Sequence, residues 1–363
     1  MSDDSLSEDW GILKSWLPSD LDTLAVQQGF FRRARGLQDA ERWLRLILMH
    51  VAGGLSLKQT SVRAQELGLA SVSSVALFKR LRHAERWLGA LTAHLLSTQR
   101  RLMSQQVWPW KGPLRVIDAT EIHEPGDTGS EWRLHYSLRL PEMVCDHYEL
   151  TDTGAGEKLG RFSFAPQEIV LVDRGYSHRA GVAHVLKAGA HVIVRWNPAV
   201  FPLMSPEGRP FLVLPKVRAL KVGQVAQWAV RFEWAGRSHR LRLCARKKGR
   251  LAAEQARRKA LRKAQQNGTT AGPLSLELSQ YVLVLTSVPS SVMLAAAVLE
   301  LYRCRWQVEL AFKRLKSSLG MGHVPKSQDH SARGWMQAKI LHSLLVERTL
   351  MEARFFSPWG DAR

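Results

Sequence analysis

The chain has 363 residues, enough for two or three domains and a sizeable core, with an ordinary soluble balance of 45% hydrophobic and 23% charged residues. Its charge is not ordinary: 52 Lys and Arg against 32 Asp and Glu leave a net +20, which calls for a polyanionic partner, nucleic acid first. Three scattered cysteines (Cys145, Cys244 and Cys304) exclude a zinc site of C-x2-C type and a disulfide framework, and no apolar run of about 18 residues excludes a membrane span. The acidic start from Met1 to Trp10 is no secretory leader, so a cytoplasmic location is expected.

Residues 1–108 read as a helical amino-terminal domain. Glu41 to His50 carries an apolar face at helical spacing. Leu57 to Leu67, the break at Gly68, and a basic helix from about Ser73 to Arg82 make a helix-turn-helix pattern over residues 57–83. An ordinary helical hairpin explains the same pattern; in this basic context Lys79 and Arg80 are taken as DNA contacts. Trp108 to Pro113 is a linker by composition.

From residue 112 the pattern changes to an α/β core, first part 112–195. Leu114-Arg115-Val116-Ile117-Asp118 and Ile169-Val170-Leu171-Val172-Asp173 are apolar strands that each end in aspartate. Between them Trp132 to Leu140 and Met143 to Leu150 read as two more strands; a helix from about Arg179 and a strand from His191 to Arg195 follow. Residues 196–280 look like a β-rich basic insertion. Residues 231–263 within it hold 13 Lys or Arg against Glu233 and Glu254, and Leu251 to Gln266 predicts a basic helix with Arg257 and Arg258 as DNA contacts. Trp196, Trp228 and Trp234 are read as core tryptophans. Tyr281 to Thr286 returns to a buried strand, Pro289 to Ser291 start a long helix closed by Gly320, and the carboxyl-terminal segment 321–363 adds a last helix from about Ala332 to Phe355.

The long helix carries the most specific signal. Tyr302, Arg305, Glu309 and Lys316 are spaced 3, 4 and 7 apart, which at roughly 100° per residue confines them to an arc of roughly 60°. One helix face therefore presents a lone carboxylate among cations, a combination suited to holding a metal ion while gripping phosphate. Asp118 and Asp173 invite a simpler reading, since Asp at a strand end commonly makes an Asx turn. Glu121 and Glu124 are rival carboxylates; Asp127 and Asp152 lie in turn-like sequence, and His123, His135 and His178 lack ligand spacing. Oxygen ligands without clustered cysteine or histidine favour Mg²⁺, with Mn²⁺ as substitute.

The motif Tyr-x2-Arg-x3-Glu-x6-Lys resembles the signature of bacterial insertion-sequence transposases of the insertion-sequence-four type, within the group that uses an Asp-Asp-Glu triad. The resemblance covers about residues 112–350. It implies a ribonuclease H-like mixed sheet core, interrupted by the β-rich insertion, preceded by the all-α domain and completed by residues 281–320. It assigns Asp118, Asp173 and Glu309 as catalytic metal ligands, and Tyr302, Arg305 and Lys316 as contacts to the DNA backbone. It also implies double-stranded DNA as partner, both transposon ends and target, with a homodimer bridging the ends in the DNA complex. The expected activity is cleavage at terminal inverted repeats followed by strand transfer. An inactive DNA-binding descendant, or a nuclease without strand transfer, are the alternatives.

Overall fold

A computed structural model describes residues 10–31, 37–102, 112–123, 132–140, 142–266, 268–325 and 329–355. The linker as far as Lys111, and the rival acids Glu124 and Asp127, lie outside the described residues. The amino-terminal helices are α1 (Leu21–Gln27), α2 (Ala40–Ala52), α3 (Leu57–Glu66), α4 (Ser74–Leu81) and α5 (Glu85–Leu102). Local sequence starts and stops them: Asp39 caps α2, Ser56 and Gln59 form a reciprocal capping box on α3, and Ser73 caps α4. Between α3 and α4, Gly68 adopts φ +62, the left-handed turn that its lack of a side chain permits. Trp87 stacks on Phe30 at 4.3 Å, with Trp43 edge-on to the same ring.

The sheet has eight strands in the order β3-β2-β1-β4-β5-β8-β7-β6. They are β1 (Leu114–Ile122), β2 (Trp132–Leu140), β3 (Val144–Asp152), β4 (Ile169–Val172), β5 (His191–Arg195), β6 (Val225–Trp234), β7 (Arg237–Lys247) and β8 (Tyr281–Thr286). The central β1, β4 and β5 are parallel, and the remaining neighbours pair antiparallel. Two expectations about the strands are corrected. β1 does not stop at Asp118 but runs four residues further, paired only with β2 beyond Ile117. Phe211 to Leu214, an apolar run that made residues 196–280 look β-rich, is not a strand: α7 (Val213–Arg218) starts there, with Pro215 tolerated in its first turn. The β-rich segment of residues 196–280 supplies β6 and β7, and both continue the main sheet.

Helices cover both faces. α6 (Arg179–Lys187) packs beneath Ile117, Val170 and Val172. On the other face, α10 (Ala295–Arg303), α11 (Gln307–Lys313) and α12 (Asp329–Phe355) share a core with Leu114, Val116 and Leu171 and with the amino-terminal helices. Two further helices, α8 (Arg250–Gln266) and α9 (Pro273–Leu278), lie between β7 and β8 in sequence. The long helix expected from Pro289 to Gly320 is broken: α10 begins at Ala295, a 3-10 turn at Cys304–Trp306 separates it from α11, and a π turn at Arg314–Ser318 follows.

α12 ties the ends of the fold together. A Cβ at Gly334 would lie 2.1 Å from the backbone oxygen of Leu81, so this glycine lets α12 press directly against the end of α4. Lys339 donates to the carbonyl oxygens of Val51 and Leu319. Glu347 accepts from the Tyr136 hydroxyl at 3.2 Å and the Cys145 N–H at 3.1 Å, and burial pushes its carboxyl up to about 7. Among the described residues no helix is long and apolar enough to cross a membrane.

Candidate active site

The site forms where the parallel pairing of β1 and β4 ends. Ile117 is in register with Val172, so Asp118 comes next on β1 and Asp173 is the first residue past the end of β4. By strand alternation Asp118 shares the face of Leu114 and Val116, the face on which α11 packs. Its carboxylate is 14% exposed; one oxygen accepts the Ala119 N–H at 2.9 Å and the other meets Arg305 at 3.1 Å. Burial pushes the Asp118 carboxyl up to about 7, and the charges of Asp173 and Glu157 act in the same direction. Asp173 turns one oxygen back onto the Gly175 N–H at 2.6 Å.

Arg305 is the hub. Its guanidinium reaches Asp118 with one nitrogen and Glu309, at 2.6 Å, with the other. Burial works against its charge, but Glu309, Tyr302 and Asp118 together outweigh that penalty and raise its pKa. Tyr302 is buried beside it, its hydroxyl pushed up to about 12 chiefly by burial. Glu309 itself is 59% exposed. Lys316 is half-buried, its pKa lowered by burial and partly restored by Glu121. Glu121, one of the rival carboxylates, is paired with Arg133 at 2.8 Å.

Sequence reasoning missed two groups here. Glu157, in the glycine-flanked loop after β3, lies against Gly175: a Cβ there would sit 1.8 Å from its Oε2 and 3.1 Å from Asp173 Oδ1. Tyr176 is 1% exposed, and its hydroxyl has no hydrogen-bond partner among the described residues, although it feels the charges of Glu157, Asp118 and Asp173. Beyond Asp173, Arg174, Arg195 and Lys248 crowd together; burial and the two arginines bring the Lys248 pKa down to about 8. A cleft lined by Arg195, Arg246, Tyr302, Arg305 and Trp306 opens alongside.

The remaining candidate contacts separate. Arg257 and Arg258 are exposed on α8, a 17-residue helix with no buried residue. Lys79 is exposed on α4, whereas Arg80 is turned inward: it donates to the Phe30 carbonyl at 2.8 Å and lies over the rings of Phe30, Phe31 and Trp43. Trp196 is buried as expected, but Trp234 is 41% exposed, with Arg179 over its ring.

No three His, Cys, Asp or Glu side chains among the described residues close on a point that could hold a metal. The donor set nevertheless suits a hard divalent cation. Asp118, Asp173 and Glu309 offer oxygen only, and a cation, the Arg305 guanidinium, already fills the gap between two of them.

Comparison with known proteins gives the family. Residues 153–345 match the family described as Transposase DDE domain, a span that includes Asp173 and Glu309 and begins after Asp118. The chain belongs to the DDE transposases. It is 33% identical over 347 residues to the putative transposase InsL for insertion sequence element IS186A of Escherichia coli (strain K12), covering 94% of this chain and 93% of the relative. It is likewise 33% identical over 348 residues to the Escherichia coli transposase for insertion sequence element IS421, with the same coverage of both chains. The DDE transposase family accounts for an enzyme acting on DNA and for the surplus of positive charge.

Proposed function

We propose that this protein is a cut-and-paste DNA transposase that cleaves at the terminal inverted repeats of its element and joins the freed 3′ ends to target DNA. The observation that carries this reading is the placement of Asp118 and Asp173 directly after the last parallel pair of β1 and β4, with Glu309 linked to Asp118 through Arg305. Strand order and carboxylate positions support a ribonuclease H-like core, and the intact Tyr302, Arg305, Glu309 and Lys316 spacing supports the insertion-sequence-four branch.

Asp118, Asp173 and Glu309 would hold Mg²⁺ or Mn²⁺. Bound there, the metal supplies activation of the attacking hydroxyl and stabilisation of the leaving oxygen in an in-line displacement at phosphorus. The protein's own groups do the rest. Arg305 shields Asp118 from Glu309 before loading; released from them, its planar fork is free to grip a backbone phosphate beside Tyr302. Lys316 adds a second cation on the far side of Glu309, and the Arg174, Arg195 and Lys248 group supplies a third positive surface next to Asp173.

Helix α8 serves as a non-specific DNA track: it is basic, exposed along its length, and the charge of Lys263 near its end reaches Glu157 at the site. Neutralising Arg257, Arg258, Lys259, Arg262 and Lys263 together should flatten the salt dependence of DNA binding, by about 0.9 in log-log slope for each phosphate left without its cation. An unchanged slope rejects the track. Lys79 on α4 is the remaining candidate of the helix-turn-helix, and two copies of the chain bridge the two transposon ends.

The deciding experiment incubates full-length protein with linear DNA carrying the element's ends and Mg²⁺ or Mn²⁺, beside a Glu309→Gln variant. Metal-dependent cleavage at the repeat boundary that vanishes in the variant supports the transposase. Specific binding without cleavage favours a DNA-binding descendant, and cleavage without joined product favours a plain nuclease.

A further inference from the structure

We propose that Glu157 is a fourth carboxylate of the metal centre, acting with Asp118 and Asp173 on the divalent cation while the Tyr176 hydroxyl donates a hydrogen bond into the group. This inference rests on the metal-dependent reading above and names a residue that neither the signature nor the triad includes.

The geometry begins at Gly175. Its Cα is flanked by Glu157 Oε2 and Asp173 Oδ1, so closely that a methyl at that position would overlap the glutamate oxygen at 1.8 Å. Any side chain at position 175 would push the Glu157 carboxylate off this spot, so the glycine leaves room for the loop after β3 to bring its carboxylate to the loop after β4. Two carboxylates held against one backbone atom repel, and a purely structural pairing would recruit a cation of the protein to relieve them. Among the described residues no Lys or Arg closes an ion pair on Glu157 or Asp173, although Arg133 and Lys263 act on Glu157 from a distance. Arg133, whose charge Glu157 feels, is committed to Glu121 at 2.8 Å and to the Ala155 carbonyl at 3.1 Å. Arg305 goes to Asp118 and Glu309 instead.

The second observation is Tyr176. A phenol hydroxyl buried to 1% exposure normally finds a partner, because desolvating it unpaired is costly. This one has none among the described residues, yet Glu157, Asp118 and Asp173 are the carboxylates whose charges it feels. A buried hydroxyl without a partner, within reach of the charges of three acidic groups of which Asp118 alone is paired with a guanidinium, fits a polar site that takes up an added cation. With the cation bound, the carboxylates are held in one arrangement and the Tyr176 hydroxyl gains an acceptor.

The test uses Mn²⁺ as probe and electron paramagnetic resonance to separate free from bound ion. Full-length wild type, Glu157→Gln, Glu157→Asp, Tyr176→Phe and Asp173→Asn are titrated alone and with duplex DNA bearing the element's ends. Glu157→Gln should weaken Mn²⁺ binding at least tenfold with thermal unfolding close to wild type, Glu157→Asp should recover part of the loss, and Tyr176→Phe should weaken binding a few-fold. Wild-type affinity in Glu157→Gln, alongside loss in Asp173→Asn, overturns the role of Glu157 and leaves the triad standing. Absence of Mn²⁺ binding by wild type in both settings overturns the role and the metal-dependent reading together. If Glu157→Gln unfolds, Glu157→Ala is titrated in its place: wild-type affinity overturns the proposal, and a loss that Glu157→Asp partly recovers supports it.

Discussion

The two sides of the site are held in different ways. Asp118 and Asp173 extend from neighbouring strands whose register is fixed by backbone pairing and by buried valine, leucine and isoleucine on both faces. Glu309 and Arg305 belong to a helical segment interrupted by a 3-10 turn before α11 and a π turn after it, and Glu309 is mostly exposed. The fold thus sets the position of two carboxylates and leaves the third to local side-chain contacts. Preorganisation is concentrated where like charges must be forced together, and adjustability where a ligand must enter.

The largest expected effect treats both sides alike. Asp118→Asn, Asp173→Asn and Glu309→Gln should each lower cleavage by roughly a thousandfold or more in a gel assay with Mg²⁺. Retained cleavage in Glu309→Gln would remove the helix from the site and collapse the comparison.

Stability should then separate the sides. The folded-state pKa of Asp118 lies above its ordinary value of 3.8, at about 7, so the folded protein holds that proton more tightly than the unfolded chain. Its contribution to stability is therefore present at low pH and is lost as pH rises from about 4 to about 7, with a flat curve above. Asp118→Asn should raise unfolding free energy near pH 8 by on the order of 2–4 kcal/mol, a gain that fades on acidification. Glu347 contributes a slope of the same sign in both proteins, so the difference between the two denaturation curves is what reports on Asp118. A difference independent of pH would mean that Asp118 is not strained by burial.

Arg305→Ala sharpens the contrast further. Removing the guanidinium leaves Asp118 and Glu309 without a counter-ion, so Mn²⁺ should bind the free protein about tenfold more tightly while cleavage of DNA falls. Parallel loss of both would make Arg305 a structural clamp only. The smallest effect is expected from Glu309→Gln on stability, within about 1 kcal/mol, because an exposed ion pair contributes little.

How much was legible follows the same divide. The strand ends could be read because short apolar runs closed by aspartate are local patterns, although the continuation of β1 through Thr120 and Glu121 was hidden by its polar residues. The pairing of β7 with β8, which carries β6 and β7 onto the main sheet, depends on contacts distant in sequence and left no local mark. Nor did the helix breaks, since residues 295–318 contain neither glycine nor proline. Arg80 looked like any basic residue of α4; only the aromatic rings of Phe30, Phe31 and Trp43 reveal why it turns inward. Glu157 sits in a loop, where spacing carries no information about what the chain will fold against.

The glycine contact between α12 and α4 also bears on how the chain is made. Lys339 and Val51, 288 positions apart, share a hydrogen bond, and Gln99 reaches Leu344 across 245 positions. During synthesis the amino-terminal helices emerge first but must wait for α12 before their core can close, which exposes apolar surface meanwhile. The amino-terminal helices thus mature only after the catalytic sheet has been translated, so a ribosome-bound fragment would not yet present them in finished form.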